Sequence, residues 1–183
     1  MSILHFLGLG KEAAGDPDKR SAASGETETV RKITAALDRM EPERARFVAA
    51  FAYILCRVAR ADLHISSTET QAMERIVMEH GGLPEEQAIL VVQMAKTQSN
   101  LFGGTENFLV TREFNKIATH EQKLALLNCL FALASDEMIS TKEDNEISRV
   151  CKELQLTHDE FVSVRMGYRE HRAVFKKLPR PTG

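Results

Sequence analysis

One acidic motif occurs twice in this chain, and each copy directly follows a strongly apolar segment. The segment Asp62–Glu69 (DLHISSTE) recurs as Asp136–Glu143 (DEMISTKE), which gives the shared pattern D-x-x-I-S-[ST]-x-E. The two copies are 74 positions apart, from residue 62 to residue 136. Duplication of a helix–loop–helix unit explains two such copies in matching contexts. We therefore predict an all-α helical bundle of about seven to eight helices with an internal pseudo-twofold repeat.

The segments that precede the two motifs are apolar on nearly every side. One is the apolar run from Phe47 to Cys56, and the other runs from Leu124 to Ala134. A helix that is apolar all round is a buried helix. Strand-like alternation and Asn-Gly hairpin signals are absent from the sequence. We predict that these two helices lie side by side in the centre of the bundle.

The length of 183 residues fits one domain. Residues 1–27 are predicted to be a flexible N-terminal tail, because positions 8–27 are rich in Gly, Ala, Ser, Asp and Lys without an apolar period. The helical domain is predicted over residues 28–175, with a start near Glu28. Residues 176–183 contain two prolines and are predicted to form an irregular C-terminal tail.

Composition narrows the classes of function. A formal net charge of −2 and the absence of Trp favour neither nucleic acid nor anionic membranes as partners, so membrane contact should be at most peripheral. Three scattered cysteines, Cys56, Cys129 and Cys151, are typical of reduced core thiols and indicate a cytoplasmic protein. No phosphate-binding loop, nucleophile elbow or H-E-x-x-H motif occurs, so we expect no enzymatic activity.

Helix capping is one interpretation of the repeated motif. Ser66 with Glu69, and Ser140 with Glu143, have the S-x-x-E spacing of a capping box, in which side chain and backbone satisfy each other's hydrogen bonds. A cap of this kind stabilises a helix by about 1 kcal/mol. The aspartate that begins each motif is then a turn-forming residue.

Cation binding is the other interpretation. If the two motifs meet at the pseudo-twofold axis, their carboxylates supply the oxygen-only ligands that suit Ca²⁺ or Mg²⁺. An EF-hand is excluded, because apolar residues or arginine occupy the leading ligand positions in both copies. The candidate metal ligands are Asp62, Glu69, Asp136 and Glu143, with His64, Glu137 and Asp144 as additional candidates.

The residues around both motifs resemble a known family. An apolar helix followed by A-x-A-D-G-x-[IL]-x-x-x-E, occurring twice, is the pattern of the TerB-like tellurite-resistance family of bacteria. The segments Val58–Asp62 and Leu130–Asp136 match it, although Leu63 and Glu137 stand where that pattern has glycine. The resemblance extends over residues 28–170.

Membership of that family implies an all-helical domain with internal pseudo-symmetry. It also implies a divalent metal held by the acidic loop residues, which map here onto Asp62, Glu69, Asp136 and Glu143. The first functional hypothesis is a non-enzymatic cytoplasmic domain that binds a divalent cation and contacts a protein partner in a stress response, such as the response to tellurite. The alternative is a metal-independent helical interaction module whose acidic residues are only helix caps.

Overall fold

The computed structural model describes residues 20–59, 67–98, 107–135 and 139–169. Within these ranges the chain forms eight α-helices, which confirms the predicted all-α bundle. The helices are α1 (Arg20–Asp38), α2 (Pro42–Ala59), α3 (Ser67–Glu79), α4 (Glu85–Gln98), α5 (Asn107–Ile117), α6 (His120–Ala134), α7 (Thr141–Glu153) and α8 (His158–Gly167).

Helix α2 is the centre of the bundle. All twelve residues from Phe47 to Val58 are buried, as an apolar run of this length requires. Burial of each large apolar side chain, such as Phe51 or Ile54, contributes about 1.5–3 kcal/mol. Helix α6 is the second apolar helix and lies against α2, as predicted. The core of the domain therefore forms around these two helices.

The remaining helices surround this central pair. Helices α4, α5 and α7 pack against α2, and α3 and α8 pack against α6. An aromatic group holds α5 to α2, where the ring of Phe114 lies 5.1 Å from the ring of Phe47 and 6.2 Å from that of Phe51. Helix α1 packs on α4 and α2, and buries Ile33 and Leu37.

Two helix starts differ from the predictions. Helix α1 begins at Arg20, eight residues before the expected start near Glu28, so the first helix includes part of the segment predicted as a tail. Helix α5 begins at Asn107, whereas the sequence predicts a short helix from about Glu113 to Ala118. The reason in α5 is that Val110 and Phe114, four residues apart, bury one common face. Residues 1–19 and 176–183 lie outside the described residues.

Glycines shape the turn between α3 and α4. Gly82 has a φ of +66°, in the left-handed region that favours glycine. Gly81 is buried, and a Cβ atom there would lie 2.9 Å from Cζ of Phe51 and 2.5 Å from the carbonyl oxygen of Val77. The lack of a side chain at Gly81 therefore lets the end of α3 approach α2 closely.

The end of α7 is a Schellman motif with an unusual residue. The amide of Leu156 donates to the carbonyl of Cys151 at 3.2 Å, and that of Gln155 donates to the carbonyl of Lys152 at 3.1 Å. Gln155 has a φ of 59°. A residue other than glycine in this region carries a steric cost of roughly 1–2 kcal/mol.

Replacing Gln155 by glycine should therefore raise the free energy of unfolding by about 0.5–1 kcal/mol, the steric gain less the entropy cost of glycine. Urea unfolding of both proteins under identical conditions measures the difference. The control is Gln155→Ala, which keeps the Cβ atom and should give no comparable gain. An equal gain from alanine would show that relief of the left-handed conformation is not the cause.

Candidate functional site

The second acidic motif begins helix α7 with a complete capping box. The amide of Ser140 donates to Oε2 of Glu143 at 2.7 Å, and the amide of Glu143 donates to Oγ of Ser140 at 3.2 Å. Ser140 has an extended backbone (φ −71°, ψ 161°), as expected for a residue just before a helix. Ile139 precedes the cap and is buried in the core. The capping interpretation of Ser140 and Glu143 is confirmed.

Capping occupies only one oxygen of the Glu143 carboxylate. Within the part of the chain that the structure describes, Oε1 of Glu143 has no hydrogen-bond or ion-pair partner, and the residue is partly exposed. A carboxylate that accepts from an amide through one oxygen can still offer the other to a cation. The geometry of Glu143 is thus compatible with both interpretations of the motif.

Asp144, the next residue, is neutralised by an arginine. Nε of Arg165 donates to Oδ1 of Asp144 at 2.9 Å, and Nη2 of Arg165 pairs with Oδ2. The guanidinium also lies over the ring of Phe161, 5.4 Å from its centroid. This bidentate pair ties α8 to the first turn of α7. Because both oxygens of Asp144 already accept from a cation, Asp144 is poorly suited to a metal.

The other candidate ligands are described only in part. Asp62, His64, Asp136 and Glu137 lie outside the described residues. Glu69 falls in the first turn of α3, and its side chain also lies outside the description. Among the residues that are described, no group of three or more His, Cys, Asp or Glu side chains is placed to hold a metal ion.

A buried arginine is the most heavily bonded side chain among the described residues. Arg57, in the last turn of α2, has a side chain that is only 3% exposed. Its guanidinium lies 2.7 Å from Oε1 of Glu146 and 2.7 Å from Oε2 of Glu153, both on α7. Nη1 also donates to Oγ1 of the buried Thr111, on α5, at 2.7 Å. One side chain therefore joins α2, α5 and α7.

The charge of Arg57 is stabilised despite its burial. Loss of solvent lowers its pKa, but the hydrogen bonds and charges of Glu153 and Glu146 outweigh that effect, so the pKa lies above its ordinary value. This cluster was not predicted from the sequence. The one sequence feature that points to it is Arg57 itself, which directly follows the apolar run of α2, because a buried charge requires partners.

Two further capping boxes occur outside the acidic motif. Thr119 with Gln122 begins α6, and Thr157 with Glu160 begins α8. The backbone and side-chain hydrogen bonds from Thr157 lower the pKa of Glu160, and the nearby His120, at 2.7 Å, acts in the same direction. The capping geometry in this fold therefore does not depend on the acidic motif.

The three cysteines are buried, and none of them forms a disulfide with the described residues. Burial raises the pKa of the Cys129 thiol to about 12. Burial, together with the charge of Glu160, raises the pKa of Cys151 to about 11. A thiol reacts as its thiolate, and at neutral pH these two groups are protonated and enclosed. The geometry gives them a packing role rather than a nucleophilic one.

Together these features define an all-helical domain in which one motif carboxylate, that of Glu143, is partly exposed at the start of a helix. Comparison with protein families identifies the same class: the family described as tellurite resistance protein TerB matches residues 48–166. This match covers more than half of the chain, and the chain belongs to the TerB family. Comparisons with curated proteins and with solved structures found no match. In the described residues no helix is long and apolar enough to cross a membrane.

Proposed function

We propose that this TerB-family domain binds a divalent cation through its two acidic motifs and contacts a protein partner, without catalysing a reaction. The ligands are Asp62, Glu69, Asp136 and Glu143, with His64 and Glu137 nearby in sequence. Oxygen ligands of this kind favour Ca²⁺ or Mg²⁺. The observation that carries the proposal is the second oxygen of Glu143, which the helix cap leaves available.

The helix contacts support a meeting of the two motifs. Helix α2 leads into the first motif, and α7 begins within the second; these two helices contact each other. The reciprocal pair, α6 and α3, also contact each other. Such an exchange is expected from a pseudo-twofold repeat. Carboxylates that lie close together repel one another unless a cation or protons compensate their charge. A cation shared by the two motifs would remove this repulsion.

The proposal extends to the cellular role and the location of the domain. Membership of the TerB family supports a role in a stress response, including resistance to tellurite. Three buried cysteines that form no disulfide with the described residues support a cytoplasmic location, where thiols remain reduced.

A metal-independent interaction module is the second candidate function. It is favoured by the capping boxes at Thr119 and Thr157, which show that this fold uses the same device where no acidic motif occurs. Under this candidate, Glu143 serves only the start of α7. The two candidates make opposite predictions for cation binding.

Calorimetric titration of the full chain with Ca²⁺, Mg²⁺, Mn²⁺ and Zn²⁺ separates them. We expect saturable binding of Ca²⁺ or Mg²⁺, and we expect Asp62→Asn combined with Asp136→Asn to weaken it at least about tenfold, because affinity follows ligand charge. The matched control is Glu160→Gln, which alters a capping carboxylate outside the motif and should leave the isotherm unchanged. Absence of binding by the unmodified chain would favour the metal-independent module.

A further inference from the structure

Helices α5 and α7 form a two-helix layer on the central helix. Both pack against α2, and they contact each other. Arg57 of α2 holds both helices in place. Its guanidinium donates a hydrogen bond to Thr111 of α5 and forms ion pairs with Glu146 and Glu153 of α7. The faces of α5 and α7 that point away from α2 therefore form one continuous outer surface.

Basic side chains dominate the charge of this outer surface, where the 41% exposed side chain of Glu113 is paired with Lys116. On α7 the exposed charges are Lys142, Arg149 and Lys152, spaced along one side of the helix. On α5 they are Arg112 and Lys116. We call these five side chains the basic face.

The acidic residues of α7 are withdrawn from the basic face. Glu143 caps the helix, Asp144 pairs with Arg165, and Glu146 and Glu153 bond the buried Arg57. All four of these acidic residues are only partly exposed. The positive sign of the surface thus results from where the fold directs each charge, in a chain whose formal net charge is −2.

The other six helices differ from α7. In the described part of the chain, each of them exposes at least one acidic residue. These residues are Glu28 in α1, Glu43 in α2, Glu79 in α3, Glu85 in α4, Glu121 in α6 and Asp159 in α8. The basic face is therefore a local feature and not the average character of the surface.

The basic-face residues differ in their ion pairs. Lys116 pairs with Glu113 at 2.6 Å, and Arg149 pairs with Glu146 at 3.3 Å. Lys142 and Lys152 form no ion pair with the residues that the structure describes, and they lie ten positions apart, about 15 Å along the helix. That length corresponds to nearly three turns of a helix packed alongside.

We propose that the basic face is a docking site for an acidic helical segment of a partner protein. Charge complementarity selects an acidic partner, and Leu109 beside the face, 50% exposed, offers an apolar contact that an amphipathic helix can cover. Nucleic acid fits less well, because α7, which carries three of the five basic side chains, has no aromatic residue on which bases could stack. This proposal rests on the partner role in the proposed function and not on cation binding.

The test uses a 16-residue helical peptide with glutamates on one face and a leucine at its edge, and a matched peptide with glutamine in place of glutamate. Amide chemical shifts of the full chain are followed during titration in EDTA, so that cation binding plays no part. We expect shifts confined to α5 and α7, and at least tenfold weaker binding of the glutamine peptide. Shifts confined to another surface would overturn this docking site while leaving a partner role intact.

Charge reversal provides the matched variants. Lys142→Glu with Lys152→Glu should weaken binding of the acidic peptide at least tenfold, whereas Arg31→Glu with Lys32→Glu on α1 should change it less than twofold at the same net charge. Lys142→Gln with Lys152→Gln is a second pair that keeps the test valid if reversal disturbs folding. Equal effects at α1 and α7, or tighter binding of phosphatidylserine vesicles or a DNA duplex than of the peptide, would overturn the proposal.

Discussion

Replacement of Arg57 by methionine should lower the free energy of unfolding by about 3–5 kcal/mol. The loss arises because Glu146 and Glu153 would face each other without the guanidinium that bonds both. Thr111, which is fully buried, would also lose the donor at its hydroxyl oxygen. Equilibrium unfolding in urea, monitored by circular dichroism, measures the effect on a helical domain of this kind.

A triple variant separates the missing charge from the missing volume. Arg57→Met combined with Glu146→Leu and Glu153→Met replaces the buried ions by apolar side chains, and we expect it to recover most of the stability lost by the single variant. Arg149, which is exposed, loses its partner Glu146 in this variant, and this costs less than about 1 kcal/mol. If the triple variant is as unstable as Arg57→Met, packing rather than uncompensated charge determines the loss.

The Arg57 cluster also illustrates which contacts could not be predicted from the sequence. Capping boxes at Ser140, Thr119 and Thr157 were predictable, because a cap depends on residues three positions apart. The partners of Arg57 are 54 to 96 positions away, so only the packing of α5 and α7 on α2 brings them together. Long-range partners of a buried charge leave no local pattern.

Helix boundaries illustrate the same limit on a smaller scale. The apolar helices α2 and α6 were identified because burial on all sides leaves an unbroken apolar run. The start of α1 at Arg20 was missed, because the composition of residues 20–27 carries no apolar period. For the candidate site, the cap formed by Glu143 was predicted, whereas the pairing of Asp144 with Arg165 depends on how α8 packs and was not.

The 74-residue offset between the two motif copies, applied along the chain, relates Arg57 to a residue of a different kind. A shift of 74 positions takes Arg57 to Phe131 of α6, and takes Glu146 of α7 back to Ala72 of α3. Phe131 is fully buried between two aromatic side chains, with ring centroids 5.7 Å from both Phe161 and Tyr168. The ionic cluster and the aromatic cluster are thus related by the sequence offset of the two motifs, and each joins its central helix to later helices.

Truncation of Phe131 should destabilise the domain as much as replacement of Arg57. We expect Phe131→Ala to lower the free energy of unfolding by about 3–5 kcal/mol, because it removes the ring on which Phe161 and Tyr168 pack and leaves a cavity. Phe131→Leu is the control and should cost less than about 1.5 kcal/mol, since it conserves most of the volume.

Combining Phe131→Ala with Arg57→Met tests whether the two clusters act independently. The ring of Phe131 in α6 packs against Phe161 of α8 and against Tyr168, whereas Arg57 joins α5 and α7 to α2. None of these residues belongs to both clusters. Independent sites should give additive losses within about 0.5 kcal/mol. Because a double loss of this size approaches the whole stability of a typical domain, the cycle is best measured by equilibrium urea unfolding in a stabilising osmolyte. A loss well below additive would show that α6 and α2 transmit strain between the clusters, which would make the central pair one cooperative unit rather than two separately stabilised halves.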